Sequence, residues 1–139
     1  MSINERQEEL IANFELFDDW ADKYAYIIEL GKKLGTIEEE FKVAENIIKG
    51  CQSNVWLIAS KNEAGQVIFR ADSDAIIVKG LVYMLLKVLS ESSPKEIIEA
   101  DLYFIEKIGM SQHLSPTRSN GLVSMIKQMK FYAIAMSAA

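Results

Sequence analysis

The sequence predicts an α+β fold in which a small antiparallel sheet of two to three strands packs against several helices. Apolar residues recur at helical spacing at both ends of the chain, and two short runs of β-forming residues lie between these segments. Runs of strands followed by runs of helices are typical of α+β proteins, whereas a doubly wound sheet alternates the two. Since the sequence contains no Walker or G-x-G-x-x-G segment, the usual nucleotide-binding scaffolds are not expected.

Two helices are predicted before the strands. The first covers about residues 4–17, where apolar positions recur at the spacing of one helix face. Asp18 and Asp19 then offer an N-cap for a second helix, for which Gly35 provides a stop signal. The helical spacing of this second segment is carried by Trp20, Tyr24, Ile27, Ile28 and Gly31.

The two strands are predicted to form a hairpin. Residues 52–60 contain a nearly continuous β-forming run, residues 61–65 form a turn, and residues 66–71 alternate again. A two-stranded hairpin is marginally stable by itself, so it needs a covering helix or a further strand. A third strand, if one forms, is expected from residues 43–48.

Helices are predicted from the end of the hairpin onwards. Residues 72–74, Asp-Ser-Asp, can cap a central helix whose broad apolar stripe runs over residues 76–88. Residues 93–96, Ser-Pro-Lys-Glu, form a capping box that predicts a short helix to about Ala100, and another helix is expected over residues 101–109. Ser115-Pro116 repeats the cap-plus-proline signal for a last helix, whose methionines at helical spacing are interpreted as core.

Composition limits the classes of function. The 139 residues fit one domain, and a net charge of -5 with a pI of about 4.9 disfavours nucleic acid as a partner. The longest apolar stretch is cut by Lys79 and Lys87 and is too short to span a membrane. Because the N-terminal residues are polar and lack the apolar stretch of a secretory signal, we expect a cytoplasmic protein.

Cysteine and histidine counts exclude several kinds of site. One cysteine cannot form an intramolecular disulfide, and one Cys with one His cannot supply an ordinary structural zinc site. The same count excludes an iron–sulfur cluster held by this chain alone. No metal or cofactor of its own is therefore expected.

Cys51 is the candidate reactive residue. It follows Gly50 at the junction between a loop and the first strand, where a thiol can move to meet another protein. Gln52, Ser53 and Asn54 carry donors that can steady a thiolate or persulfide. A lone cysteine is more often a small buried hydrophobic residue, and reactivity also needs hydrogen bonds or a positive field, for which Lys49 and Arg118 are the candidates.

His113 is the candidate base in an alternative interpretation. Cys51 and His113 can in principle form a nucleophile–base pair of a thiol hydrolase or acyltransferase. Such an enzyme also needs an orienting residue and an oxyanion hole, and no local signature of either is present. A lone His near a helix start is more often a surface or capping residue.

Four segments in order resemble the SufE family of sulfur acceptors, which includes the CsdE proteins. The segments are KYAYIIELG at 23–31, GCQSNVW at 50–56, DSDA with IVKGL at 72–81, and HLSPTRSNGL at 113–122. They span nearly the whole chain, and the single cysteine lies in the expected motif. The departures are small: the family often has Gly where this chain has Ala71, and Val-Pro or Val-Glu where it has Ile48-Lys49.

The resemblance implies a fold shared with IscU-type scaffolds and a sulfur carrier rather than an enzyme. Cys51 would accept persulfide sulfur from a SufS- or CsdA-like cysteine desulfurase, whose pyridoxal phosphate does the chemistry, and deliver it to a SufB-containing iron–sulfur scaffold. It would also stimulate the desulfurase. Asp74 and Arg118 would lie close to the cysteine loop; an N-cap role for Asp74 and a surface ion pair for Arg118 are the structural alternatives.

Two further points stay open at this stage. A protein that docks on a desulfurase and regulates it without carrying sulfur is a rival interpretation, and a homodimer is compatible with the sequence. We also expect Cys51 to rest in an apolar recess and to swing out on docking, because carried sulfur needs shelter from oxidants and small thiols.

Overall fold

The computed structural model describes residues 1–138 and confirms the α+β fold. Two antiparallel strands lie between two N-terminal and five C-terminal helices. The elements in chain order are α1 (Ile3–Phe14), α2 (Trp20–Gly31), β1 (Val55–Lys61), β2 (Val67–Ser73), α3 (Ile76–Leu89), α4 (Pro94–Glu99), α5 (Phe104–Ile108), α6 (Met110–His113) and α7 (Pro116–Ser137). Two short 3₁₀ helices, Glu39–Phe41 and Ala44–Asn46, lie in the segment between α2 and β1.

Most of the predicted helix caps are confirmed. Asp19 accepts a hydrogen bond from the backbone of Asp22 at the start of α2, and Ser93 forms the capping box of α4 with Glu96. Ser115 accepts from the Arg118 backbone at the start of α7. Gly109, with φ of 94°, ends α5 near the predicted residue, and the short α6 is an element that the sequence pattern does not predict. The side chains of Asp19, Ser93 and Ser115 thus accept hydrogen bonds from backbone N–H groups that have no partner inside their helices.

The predicted cap of α3 by Asp72-Ser73-Asp74 is wrong. Val55 pairs with Ser73, so β2 continues through Ser73 and the N-cap of α3 is Ala75, which makes no side-chain capping bond. Asp72 is buried, accepts the Ser73 backbone N–H at 2.8 Å and pairs with Lys42 Nζ at 3.2 Å. The carboxylate that the local pattern assigned to a cap therefore belongs to the sheet.

The third strand considered for residues 43–48 does not form, and the sheet within residues 1–138 has the smaller of the two expected strand numbers. Residues 44–46 close a 3₁₀ turn, and within residues 1–138 this segment meets the sheet through the single bridge between Ile47 and Trp56. Asn46 Nδ2 donates to the Phe41 carbonyl at 2.7 Å and holds the segment curved. A curved backbone cannot continue the ladder, so the hairpin is supported by helices instead.

Helix α3 lies at the centre of the molecule. Its buried side chains pack on α2, α1, β2 and α7. Gly31 of α2 faces Gly80 of α3, and a Cβ on Gly80 would overlap the carbonyl oxygen of Ile27. The interpretation of the last-helix methionines as core is confirmed for Met125 and Met129, which are buried. Among residues 1–138, no helix is both long enough and apolar enough to cross a membrane.

Hydrogen bonds from the Arg6 side chain link α1 to the C-terminal end of α3. Its Nη1 atom donates to the carbonyls of Val88 and Ser90 and to the hydroxyl of Ser92, and Nη2 donates to the carbonyl of Glu91. The carbonyls at a helix C-terminus lack partners inside the helix, and a guanidinium satisfies several of them at once.

Candidate functional site

The loop that carries Cys51 lies against α7. Ile48 N–H donates to the Val55 carbonyl at 2.9 Å and closes the base of the loop. Gly50 has φ of 93°, and a Cβ at this position would lie 2.5 Å from Ser124 Oγ. Only glycine suits both the left-handed backbone and the close contact with α7. Gly50 therefore sets the direction in which the chain enters Cys51.

A cavity of about 260 Å³ opens beside Cys51. Its walls come from the cysteine loop, from α3 and from the start of α7. Val78, Leu81 and Met125 form the apolar part of the lining. The remaining lining residues are Cys51, Gln52, Ser53, Ser115, Thr117, Arg118 and Gly121. The cavity is thus lined by both apolar and polar residues.

The thiol of Cys51 is partly buried in this cavity. Its Sγ atom donates to the Gly121 carbonyl oxygen at 3.7 Å. Partial burial raises the pKa of the Cys51 thiol, because the thiolate loses hydration. The expected recess is present, but its lining is mixed, because polar residues lie there beside Val78, Leu81 and Met125.

Arg118 lines the same cavity as Cys51. Its backbone N–H donates to Ser115 Oγ at 3.2 Å, and its side chain makes no hydrogen bond or ion pair with another of residues 1–138. The surface ion pair considered for it is absent within those residues. The guanidinium is therefore available to a group that enters the cavity.

Asp74 lies near the loop but is not among the cavity-lining residues. Its carboxylate accepts the backbone N–H of Asn54 at 3.1 Å and the Asn54 Nδ2 group at 3.0 Å. The Asp74 N–H and the Ser73 hydroxyl both donate to the Asn54 carbonyl, at 3.3 Å and 2.8 Å. We call this set of bonds the Asn54–Asp74 clasp; it fixes the loop three residues after Cys51.

His113 is not brought to Cys51. Its ring stacks on Trp20 with centroids 4.2 Å apart, and Nδ1 lies 3.0 Å from the Gly109 carbonyl oxygen. It does not line the cavity, so the geometry gives no support to the nucleophile–base interpretation. Among residues 1–138, no three His, Cys, Asp or Glu side chains are grouped as metal ligands.

Several residues of the site are not singled out by the sequence pattern. Ser115 is predicted only as a cap, and Thr117 and Gly121 only as part of a motif. Gly121 carries a usable signal, because glycine inside a helix costs about 1 kcal/mol relative to alanine and so indicates a packing reason. The apolar wall of Val78, Leu81 and Met125 is indistinguishable from general core in the sequence.

Comparison with known proteins gives the relationship. A family profile described as "SufE: Fe-S metabolism associated domain" matches residues 8–133. The solution structure of a hypothetical protein from Thermus thermophilus is similar over 96% of this chain and 97% of that chain, with a TM-score of 0.78 and 17% sequence identity. At this identity the likeness shows the fold alone, whereas the profile covers most of the chain. The protein therefore belongs to the SufE family, whose domain is associated with iron–sulfur metabolism.

Proposed function

We propose that this protein accepts sulfur from a cysteine desulfurase on Cys51 and passes it on for iron–sulfur cluster assembly. The observation that carries the proposal is the position of the only thiol in the chain, on a loop above a cavity between α3 and α7. Membership of a family associated with iron–sulfur metabolism supports it.

The transfer is a thiol exchange. The Cys51 thiolate attacks the outer sulfur of the donor's cysteine persulfide, a new S–S bond forms at Cys51, and the S–S bond of the donor breaks. The electron pair leaves with the donor thiolate, so no external oxidant or reductant is consumed. Because the chain contains no second cysteine, the acquired persulfide cannot collapse into an internal disulfide.

Two features lower the reactivity of the resting Cys51 thiol. Burial raises its pKa, and attack requires the thiolate. The Asn54–Asp74 clasp holds the loop on one side of Cys51, and Gly50 directs it on the other. We infer that docking on the donor releases the loop, rotates Cys51 out of the cavity and hydrates the thiol, which lowers its pKa and starts the exchange.

The remaining roles fall to partner proteins, as the family resemblance implies. The donor is a desulfurase of the SufS or CsdA kind, whose pyridoxal phosphate releases sulfur from L-cysteine, and the acceptor is a SufB-containing scaffold. This chain supplies one nucleophile and its shelter, and it stimulates the donor by removing the persulfide product. We assign the reaction to the cytoplasm, where a single reactive thiol stays reduced.

Intact-mass analysis after incubation with a desulfurase and L-cysteine tests the proposal. The wild-type protein is expected to gain one or more sulfur atoms, and Cys51→Ser is expected to gain none. A protein that stays unmodified beside a working desulfurase would overturn the assignment. Unchanged stimulation of the desulfurase by Cys51→Ser would instead identify a regulator that carries no sulfur.

A further inference from the structure

The cavity beside Cys51 is larger than the thiol alone requires. Its volume of about 260 Å³ is several times the roughly 30 Å³ that one water molecule occupies in the liquid. Gly121 contributes to this room, because a Cβ there would lie 3.6 Å from Cys51 Sγ, in van der Waals contact with it. There is space next to the sulfur for one more atom of the same size.

A persulfide has different needs from a thiol at this position. The outer sulfur would lie about 2.05 Å beyond Sγ and carries the acidic proton. A perthiol is more acidic than the corresponding thiol, so its outer sulfur is an anion at neutral pH. Sγ then has no proton to donate to the Gly121 carbonyl, and that oxygen repels the new negative charge.

Other residues that line the cavity carry hydrogen-bond donors. The Arg118 guanidinium has no partner among residues 1–138, and the hydroxyls of Ser53, Ser115 and Thr117 also line the cavity. Burial raises the pKa of the resting Cys51 thiol, and a neutral thiol needs no cation beside it. A persulfide on Cys51 would place an anion in the cavity that Arg118 also lines.

We propose that this cavity is the binding site of the carried sulfur. Arg118 binds the anionic outer sulfur of the Cys51 persulfide, and the absence of a side chain at Gly121 leaves room for that sulfur. The inference rests on the proposed function, since it names the state in which the sulfur travels between donor and acceptor. Charge-assisted hydrogen bonds from a guanidinium and hydroxyls keep the perthiolate inside, away from small thiols and oxidants.

The test loads the sulfur without a desulfurase. Cys51 is first converted to its mixed disulfide with 5-thio-2-nitrobenzoate; sulfide then attacks Cys51 Sγ and displaces the nitrobenzoate thiolate, which leaves the persulfide. Iodoacetamide alkylation of the loaded and unloaded proteins is followed by intact mass as a function of pH. The variants are Arg118→Gln, Arg118→Lys and Gly121→Ala, with Arg70→Gln as a matched control on an exposed arginine that pairs with Glu38.

We expect Arg118→Gln to speed alkylation of the persulfide by about twofold to fivefold, as loss of one partly exposed ionic contact predicts. Its pH profile moves to higher pH, because the perthiolate loses a cation. Arg118→Lys restores part of both effects, and the unloaded thiol, measured in parallel, responds less than the persulfide to each Arg118 variant. Gly121→Ala also speeds persulfide alkylation while it retains or raises Tm, because alanine favours the helix.

Equal persulfide alkylation rates and pH profiles in wild type and Arg118→Gln would contradict the proposed sulfur-binding site. So would a persulfide that reacts as fast in the folded protein as in the same protein unfolded in urea. Because the sulfur is loaded chemically, a negative result for the sulfur-binding site is distinguishable from a negative result for the proposed function, which concerns transfer from a desulfurase.

Discussion

In the proposed function, Cys51 must meet two opposing requirements: its sulfur must be protected, and its thiol must ionise in order to react. The proposed function requires that the sulfur be protected, whereas burial raises the pKa of the Cys51 thiol and lowers the fraction of reactive thiolate. Under the proposed function, the thiol is protected while the cysteine loop is closed and ionises when the loop opens. The residues that hold the loop therefore control the reactivity of Cys51.

The first prediction at the residue scale concerns the Asn54–Asp74 clasp. Asp74→Ala removes the acceptor of two hydrogen bonds, while the bond from the Ser73 hydroxyl to the Asn54 carbonyl remains. We expect iodoacetamide to alkylate Cys51 about fivefold faster, which corresponds to one net hydrogen bond of about 1 kcal/mol. Glu63→Ala, on the exposed hairpin turn, is the control and should react like wild type. An unchanged rate in Asp74→Ala would show that the clasp does not limit access.

The second prediction follows from the pKa of Cys51. Only the thiolate reacts with iodoacetamide, and burial raises the pKa of the folded thiol above that of a free cysteine, about 8.5. The alkylation rate of the native protein should therefore reach its half-maximum at a higher pH than the rate in urea. The two profiles are measured on the same wild-type sample with and without denaturant. A native midpoint at or below the unfolded one would contradict the burial of the thiol.

At the scale of elements, the site depends on how closely α2 and α3 pack. Gly31 and Gly80 bring the two backbones together, and α3 then presents Val78 and Leu81 to the cavity. Helix α7 supplies the opposite wall with its first turns and the core with Met125, Met129 and Ala133. The same two helices thus build the hydrophobic core and the shelter for the sulfur.

The third prediction tests this packing. In Gly80→Ala the new methyl group would overlap the Ile27 carbonyl, and backbone cannot yield as a flexible side chain does. We expect a loss of about 3 kcal/mol or more in the free energy of unfolding, measured by urea denaturation. Gly35→Ala is the matched control, since nothing lies within 4 Å of the Cβ that alanine would add there and the backbone is not left-handed. A Gly80→Ala protein as stable as wild type would mean that α2 and α3 lie farther apart than described.

On the scale of the whole molecule, the buried side chains form one continuous cluster. Both N-terminal helices, both strands and all five C-terminal helices, α3 to α7, contribute to it. Arg6 and Gln7 add polar fastenings between α1 and distant segments, to the end of α3 and to residues 101 and 104. We infer that the chain folds as one domain.

The fourth prediction measures that inference. Trp20 lies beside His113, and Trp56 lies in β1 across from Asp72, so the two indoles report on different parts of the molecule. Urea unfolding followed by the fluorescence of Trp20→Phe and of Trp56→Phe, and by circular dichroism, should give coincident transitions with each variant. Fluorescence and circular dichroism transitions that separate within one variant would indicate two independently folding units.

Most of the helices, the hairpin, most of the caps and the cysteine motif could be predicted from the sequence alone, because these depend on periodicity and on side chains a few residues apart. The sequence alone did not determine the cap of α3 or the absence of the third strand within residues 1–138, since Ser73 pairs with Val55 and the chain near Asn46 curves through a bond to Phe41. Tertiary structure alone decided which residues meet Cys51: Arg118 and Gly121 approach it across 67 and 70 positions of chain, whereas His113 is held on Trp20. Contacts over such distances depend on how helices pack, and local patterns carry no record of that packing.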